Sequence, residues 1–520
     1  MRPPRAAKTK PAYRQPVRRL HFGAGNIFRG FIAALQQRLL DAGLAGEGII
    51  AADTFDGEII ERIYAPFDCL TMNVTLNPDA TTEREIIASI AEGVRADTAD
   101  KQCRARLAAI FSQPTLQMVS FTITEKGYQL RSMNGELLPV AKSDMSAGPD
   151  AARHAMSVVT AMLLERFRAG AQPIALVSMD NCSRNGERLR AAVLEIARAW
   201  LENGFVGRDF VDYIEDERRV AFPWSMIDKI TPRPSQAVEA SLAADGIEDM
   251  APIVTARGTF IAPFVNAERP QYLVVEDRFP NGRSALEKAG VYMTDRDTVN
   301  RAERMKVTAC LNPLHTALAV YGCLLCYTLI RDEMKDEDLS RLVRRLGCDE
   351  ALPVVPDPGI ISPRAFIDEV ANECLPNVFM PDDPRRIATD TSQKVGIRFG
   401  ETIRGHLAVG RDLDALVAIP LAIAGWLRYL LGVGDDAQPM DVSPDPMKDA
   451  LQEKLKGIEV GRPESYRGQL REILSNEAIF GSDLCRCGLA ERIERFFVEE
   501  IAGAGAVRAT LHRHLFPESK

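Results

Sequence analysis

The chain changes character once, near Val291, and that change constrains its fold more than any other feature. Before it, short runs rich in β-branched and aromatic residues recur: RRLHF from Arg18, GIIAAD from Gly48, CLTMNVTL from Cys69, LQMVSFTIT from Leu116, PIALVSMD from Pro173, RVAFPWSMI from Arg219 and QYLVVED from Gln271. Such runs read as strands. Helical patterns separate several of them, over Arg29–Ala42 and Ala151–Ala169. Alternating strand and helix implies an α/β domain with a mostly parallel sheet covered on both faces. After Val291 the pattern is helical throughout, as in TALAVYGCLLCYTLI, PRAFIDEVANECL, DALVAIPLAIAGWLRYLLG and LAERIERFFVEEIAGAG. Pro-rich breaks such as LPVVPDPGIISP separate these helices. The expected organisation is a disordered basic tail over 1–17, an α/β domain over 18–290 and an all-α domain over 291–520.

Bulk properties narrow the function classes. At 520 residues and 46% hydrophobic, the chain can build two or three cores. Its net charge of −8 argues against nucleic-acid binding and for small-molecule biochemistry. The ten cysteines are dispersed, and the pairs Cys323/Cys326 and Cys485/Cys487 lack a second pair or a His cluster at zinc spacing. No metal is expected, and reduced thiols fit a cytoplasmic protein. The apolar run Thr316–Ile330 is shorter than a membrane span and is followed by RDEMKDEDL, so a buried core helix is expected and no membrane partner. Nothing in the pattern specifies an oligomeric state.

The first strand runs into a glycine turn, RRLHFGAGNIFRGF. Gly23 and Gly25 would let backbone N–H groups approach a pyrophosphate at a helix N-terminus, as in Rossmann-type domains. Phe28 stands where a third glycine is usual. Arg29, one turn into the helix, offers a cation. A glycine turn after a strand also occurs without any nucleotide. The second strand adds Asp53, an acid placed to take both ribose hydroxyls and repel a 2′-phosphate, which favours NAD over NADP. Asp56 is a rival acid, and either could be a solvated loop carboxylate.

The stretch ERMKVTACLNPLHTALAVYG carries a second constellation. Asn312 and His315 are three apart at a helix start and share a face, with Lys306 on the approach. A lysine, an amide and an imidazole suit carbonyl/alcohol chemistry. Taken singly, each also reads as a surface lysine, a helix cap or a buried histidine.

Six stretches in this order, FGAGNIFRGF, TITEKGY, VSMDNCSRNG, FPWSMIDKITP, VVEDRFPNGR and LNPLHTALAVYG, resemble the mannitol dehydrogenase family of polyol-specific long-chain dehydrogenases. The resemblance implies an N-terminal nucleotide-binding domain, a helical C-terminal domain, no metal, and a lysine acid/base. By motif, Lys306 is that lysine. Asn181 and Asn312 resemble the amides that hold the reacting oxygen, Asp228 the carboxylate that tunes the lysine, and His315 a substrate-binding histidine. The segment DPRRIATDTSQKVGIRF resembles the one that gives the substrate an arginine and a lysine, here Arg386 and Lys394. Gly23, Gly25, Asn26, Arg29, Asp53 and Glu125 resemble cofactor-binding positions, with Asp180 beside them. The family pattern leaves four residues between the lysine and Asn312, whereas here five intervene (VTACL), and a bulge is expected to absorb the extra one. The expected reaction is NAD-dependent, reversible reduction of a linear keto-sugar acid, fructuronate to mannonate, with Arg386, Lys394, Arg398 and Arg404 as candidate carboxylate partners. Alternatives are mannitol 2-dehydrogenase or tagaturonate reductase activity, or a catalytically weakened NAD-binding member.

Overall fold

The computed structural model describes residues 16–132 and 134–516, so residues 1–15 of the expected tail lie outside the described residues. Val17, assigned to that tail, is instead buried in the core under the first strand. The chain forms two compact units: one takes the chain to Leu76 and Thr82–Asn300, the other Asn77–Thr81 and everything from Arg301.

In the first unit, six strands form one sheet: β1 (Arg19–Phe22), β2 (Ile49–Asp53), β3 (Ile90–Arg95), β4 (Met118–Phe121), β5 (Ile174–Ser178) and β6 (Val220–Ala221). Their order is β3-β2-β1-β4-β5-β6 and every pairing is parallel. This is the doubly wound, dinucleotide-binding order, with ligands taken at the carboxyl ends of the strands. Alternation along the strands explains the burial. Ile50 and Ala52 join one hydrophobic cluster while Ile49 and Ala51 join the other, so the sheet is covered on both faces.

β3 carries no strong strand signal because Glu92 and Gly93 interrupt its apolar pattern. It is an edge strand, where polar residues are tolerated. Gly93 permits close packing, since a Cβ there would sit 3.3 Å from Ile60 and Tyr64. Smaller sheets flank the main one. Thr71–Leu76 lies between Phe264–Glu268 and Thr82–Ile87, and Tyr272–Glu276 between Ser225–Asp228 and Tyr292–Thr294. The Tyr292–Thr294 strand lies beyond the boundary expected at 291, because the transition to helix only begins at Arg296.

The second unit is helix-rich. Among its described residues, β-pairing is confined to isolated bridges such as Val433 with Pro439. The helix Ala418–Tyr429 is buried along its whole length. It packs closely on Asn312–Leu324, since a Cβ at Gly425 would lie 2.6 Å from the Tyr321 ring. The Tyr321 hydroxyl lies 2.7 Å from both Leu421 O and Glu500 Oε1. Arg296–Leu324 is long and apolar enough to cross a membrane, yet 78% of its apolar window is buried within the structure, as in a core helix.

Candidate active site

Five expected cofactor or catalytic positions lie where strands of the first unit end: Gly23 after β1, Asp53 at the end of β2, Glu125 after β4, Asn181 after β5, and Asp228 at the end of Ser225–Asp228. The glycine turn is held firmly. Gly23 N–H donates to Ala52 O (2.8 Å), and the Tyr64 hydroxyl donates to Ala24 O (2.9 Å). Gly23 has φ +103°, and a Cβ there would lie 2.1 Å from Thr122 O, so only glycine fits. A Cβ at Gly25 would meet nothing within 4 Å, so the turn faces open space there.

Asp53 is 8% exposed and accepts three backbone N–H bonds, from Ala24 (2.9 Å), Phe55 (2.8 Å) and Asp56 (2.7 Å). Burial raises its pKa, and the three donors pull the other way. Asp53 thereby ties the glycine turn to the loop after β2. Beside it opens a cavity of about 620 Å³, also lined by Phe55, Arg95, Arg153 and Arg257. The rival acid Asp56 is buried and accepts the Thr255 hydroxyl (2.6 Å), which staples the Ile253–Ile261 hairpin over this cavity. That hairpin sets the Arg257 guanidinium 5.4 Å from the centre of the Phe55 ring, which is 63% exposed. Neither residue was legible as part of the site. The only signal was an aromatic residue two places after Asp53. A dinucleotide fits this set: a glycine turn open to it, an organised carboxylate and an apolar face for a base.

Arg29 requires a correction. It is fully buried, and its guanidinium donates to Ala262 O (2.8 Å) and Asn26 Oδ1 (2.8 Å). Burial lowers its pKa to about 10. The cation expected at the cofactor braces the turn from inside, and the Asn26 side-chain oxygen is taken up in the same bond. His21 also belongs to the core, bonded to the Ser120 and Thr122 hydroxyls and stacked on Phe28 at 4.2 Å.

Asp180 organises the turn after β4. It accepts Ile123 N–H and Thr124 N–H (2.9 Å each) and the Tyr128 hydroxyl (2.5 Å). Glu125 follows, half-exposed and paired with Arg188 at 2.5 Å. Next to Asp180, Asn181 is exposed. The buried Asn185 fixes this loop by donating to Asp180 O (3.1 Å) and Ser225 O (3.0 Å), a positioning role that motif reading missed. Asp228 is half-buried, opposite Tyr272.

In the second unit, Lys306 is 3% exposed and opens a π-helical turn, Lys306–Cys310. Leu311 N–H donates to Lys306 O at 3.1 Å, and the chain then restarts as a helix at Asn312. A π turn is how one extra residue enters a helix without disturbing its neighbours, so the bulge expected in VTACL takes this form. His315 lies one turn on. Its side chain is 19% exposed, its Nε2 lacks a hydrogen-bond partner among the described residues, and Asp382 stands 3.9 Å away. Burial lowers its pKa to about 4, so the imidazole is neutral at physiological pH. Arg386 is exposed and paired with Asp382. Lys394 donates to the Ile387 and Thr389 carbonyls. Its pKa is lowered by burial and by Arg398. His315, Asp382, Arg386, Lys394 and Arg398 thus form one electrostatic cluster. Arg404 is paired with Glu401 at 2.5 Å.

Comparison with known proteins agrees with this layout. The mannitol dehydrogenase Rossmann domain matches residues 17–288, and the mannitol dehydrogenase C-terminal domain matches residues 298–498. The chain is 51% identical to D-mannonate oxidoreductase of Thermotoga maritima, over 95% of this chain and 91% of that one. It is 29% identical to a mannitol 2-dehydrogenase of Phaeosphaeria nodorum, over 95% and 80%. Among solved structures it resembles a substrate-free D-sorbitol dehydrogenase (TM-score 0.75, 26% identity, 94% of each chain). It also resembles Pseudomonas fluorescens mannitol 2-dehydrogenase in ternary complex with NAD and D-mannitol (TM-score 0.67, 27% identity, 98% and 96%).

Proposed function

This chain belongs to the mannitol dehydrogenase family and is an oxidoreductase acting on CH–OH groups, and from that premise we propose that it reduces D-fructuronate reversibly to D-mannonate with NAD as hydride carrier. The observation that carries the substrate is the 51% identity, along nearly the whole chain, to D-mannonate oxidoreductase. A nicotinamide cofactor is supported by the Rossmann-domain match and by the relative solved with NAD. Asp53 supports NAD over NADP, because a carboxylate at the end of β2 accepts ribose hydroxyls and repels a 2′-phosphate.

When bound, the nicotinamide supplies or accepts the hydride, and the chain's own residues handle substrate and proton. Lys306 as ammonium protonates the oxygen that becomes the alcohol in reduction, and as free amine takes that proton back in oxidation. The family resemblance gives Asn181 and Asn312 that oxygen, which their amide N–H groups hold as negative charge develops on it. The same resemblance makes Asp228 the carboxylate that tunes the lysine. His315, Arg386 and Lys394 bind the sugar chain, with His315 acting as a neutral hydrogen-bonding group.

The test is an NADH absorbance assay with fructuronate, tagaturonate and fructose side by side. We expect the highest kcat/KM with fructuronate. A higher value with either other substrate, or tight NADH binding without turnover of any, contradicts the proposal.

A further inference from the structure

A hexuronate and a neutral keto-hexose differ by one carboxylate at the end of the chain away from the ketone. Resting on the fructuronate reading above, we propose that Arg398 binds that carboxylate and sets the preference for sugar acids over polyols.

Backbone packing fixes where Arg398 can point. It lies in the π-helical turn Gly396–Gly400, seated against the helix Glu477–Phe480. A Cβ at Gly396 would lie 2.6 Å from Ile479 O, and one at Gly400 would overlap Phe480 O outright. Side chains at these two places would push the turn off its seat. From it the Arg398 guanidinium donates to the Thr316 hydroxyl. Thr316 in turn donates to Asn312 O at 2.9 Å, so the hydroxyl's proton is committed, its oxygen accepts from Arg398, and the guanidinium is anchored beside His315.

Charge then separates Arg398 from its neighbours. Arg386 is paired with Asp382, Arg404 with Glu401, and Lys394 rests on two backbone carbonyls. Among the described residues no carboxylate pairs with Arg398, whose guanidinium donates to the neutral Thr316 hydroxyl. Burial alone accounts for the lowering of its pKa to about 10, with no acid to offset it. A partly desolvated guanidinium without a counter-ion is costly. It is also a ready fork for a carboxylate, which it can hold through two parallel N–H donors. The adjacent His315 Nε2, without a hydrogen-bond partner among the described residues, adds a polar contact next to the incoming anion.

The test compares wild type, Arg398→Gln and Arg398→Lys with fructuronate and with neutral fructose, and measures NADH affinity alongside. Losing one side of a desolvated charge pair should lower kcat/KM for fructuronate about 100-fold in Arg398→Gln, mainly through KM. The loss with fructose should be far smaller than with fructuronate, NADH affinity should be retained, and Arg398→Lys should recover part of the loss. Equal losses with both sugars, or no loss with fructuronate, would overturn the assignment of Arg398. Wild type inactive on fructuronate would instead overturn the substrate reading on which it rests.

Discussion

At the scale of single residues, Lys306 bears the heaviest chemical demand. General acid–base groups contribute about 10²- to 10⁴-fold to turnover, and Lys306→Ala should lose about that much kcat while NADH affinity is retained. A variant with near-normal turnover would show that another group moves the proton. Lys306 and Asn312 were singled out by the motif they share with the mannitol dehydrogenase family, and Asp53 by its place at the end of the second strand. Arg29 shows what such reading lacks. Its charge and position suited a phosphate, but its complete burial depends on Ala262, more than two hundred residues away. Arg398 is the converse case. In sequence it was one cation of four, and only the pairing of the others singled it out.

At the scale of elements, the extra residue between Lys306 and Asn312 was visible as a count, but not as a π turn, because hydrogen-bond shifts of this kind leave no compositional mark. The short helix Ile330–Glu333 carries a testable consequence of packing. Glu333 is fully buried, both its carboxyl oxygens lack hydrogen-bond partners among the described residues, and its carboxyl lies against Gly322, where a Cβ would overlap it. Burial pushes its pKa up to about 9, with Asp336, Asp332 and Asp383 adding to the effect. The folded state therefore keeps a proton that the unfolded chain releases near pH 4.5. The associated stability is present in full below that pH and is lost as pH rises towards 9, at up to about 1.4 kcal/mol per pH unit. Glu333→Gln keeps the shape without the ionisation, so its melting temperature should gain on wild type progressively from pH 5 to pH 9. A gain that shrinks with pH would contradict the assignment.

At the scale of the whole molecule, the passage from alternating strands and helices to helices alone was legible because period 2 and period 3.6 patterns differ over long stretches. The parallel sheet followed from it, as did the flanking strands Thr71–Leu76, Ser225–Asp228 and Tyr272–Glu276, whereas the edge strand β3 and the flanking strands Thr82–Ile87, Phe264–Glu268 and Tyr292–Thr294 were harder to see, since their stability comes from pairing and close packing more than from local pattern. The central claim is that this scaffold moves hydride between NADH and the ketone of fructuronate. The most direct measurement is reduction of fructuronate with NADH carrying deuterium at the transferable position, followed by mass and NMR analysis of the product. The account predicts mannonate with one deuterium on the carbon that was the ketone; unlabelled mannonate, or label in no sugar acid at all, would contradict it.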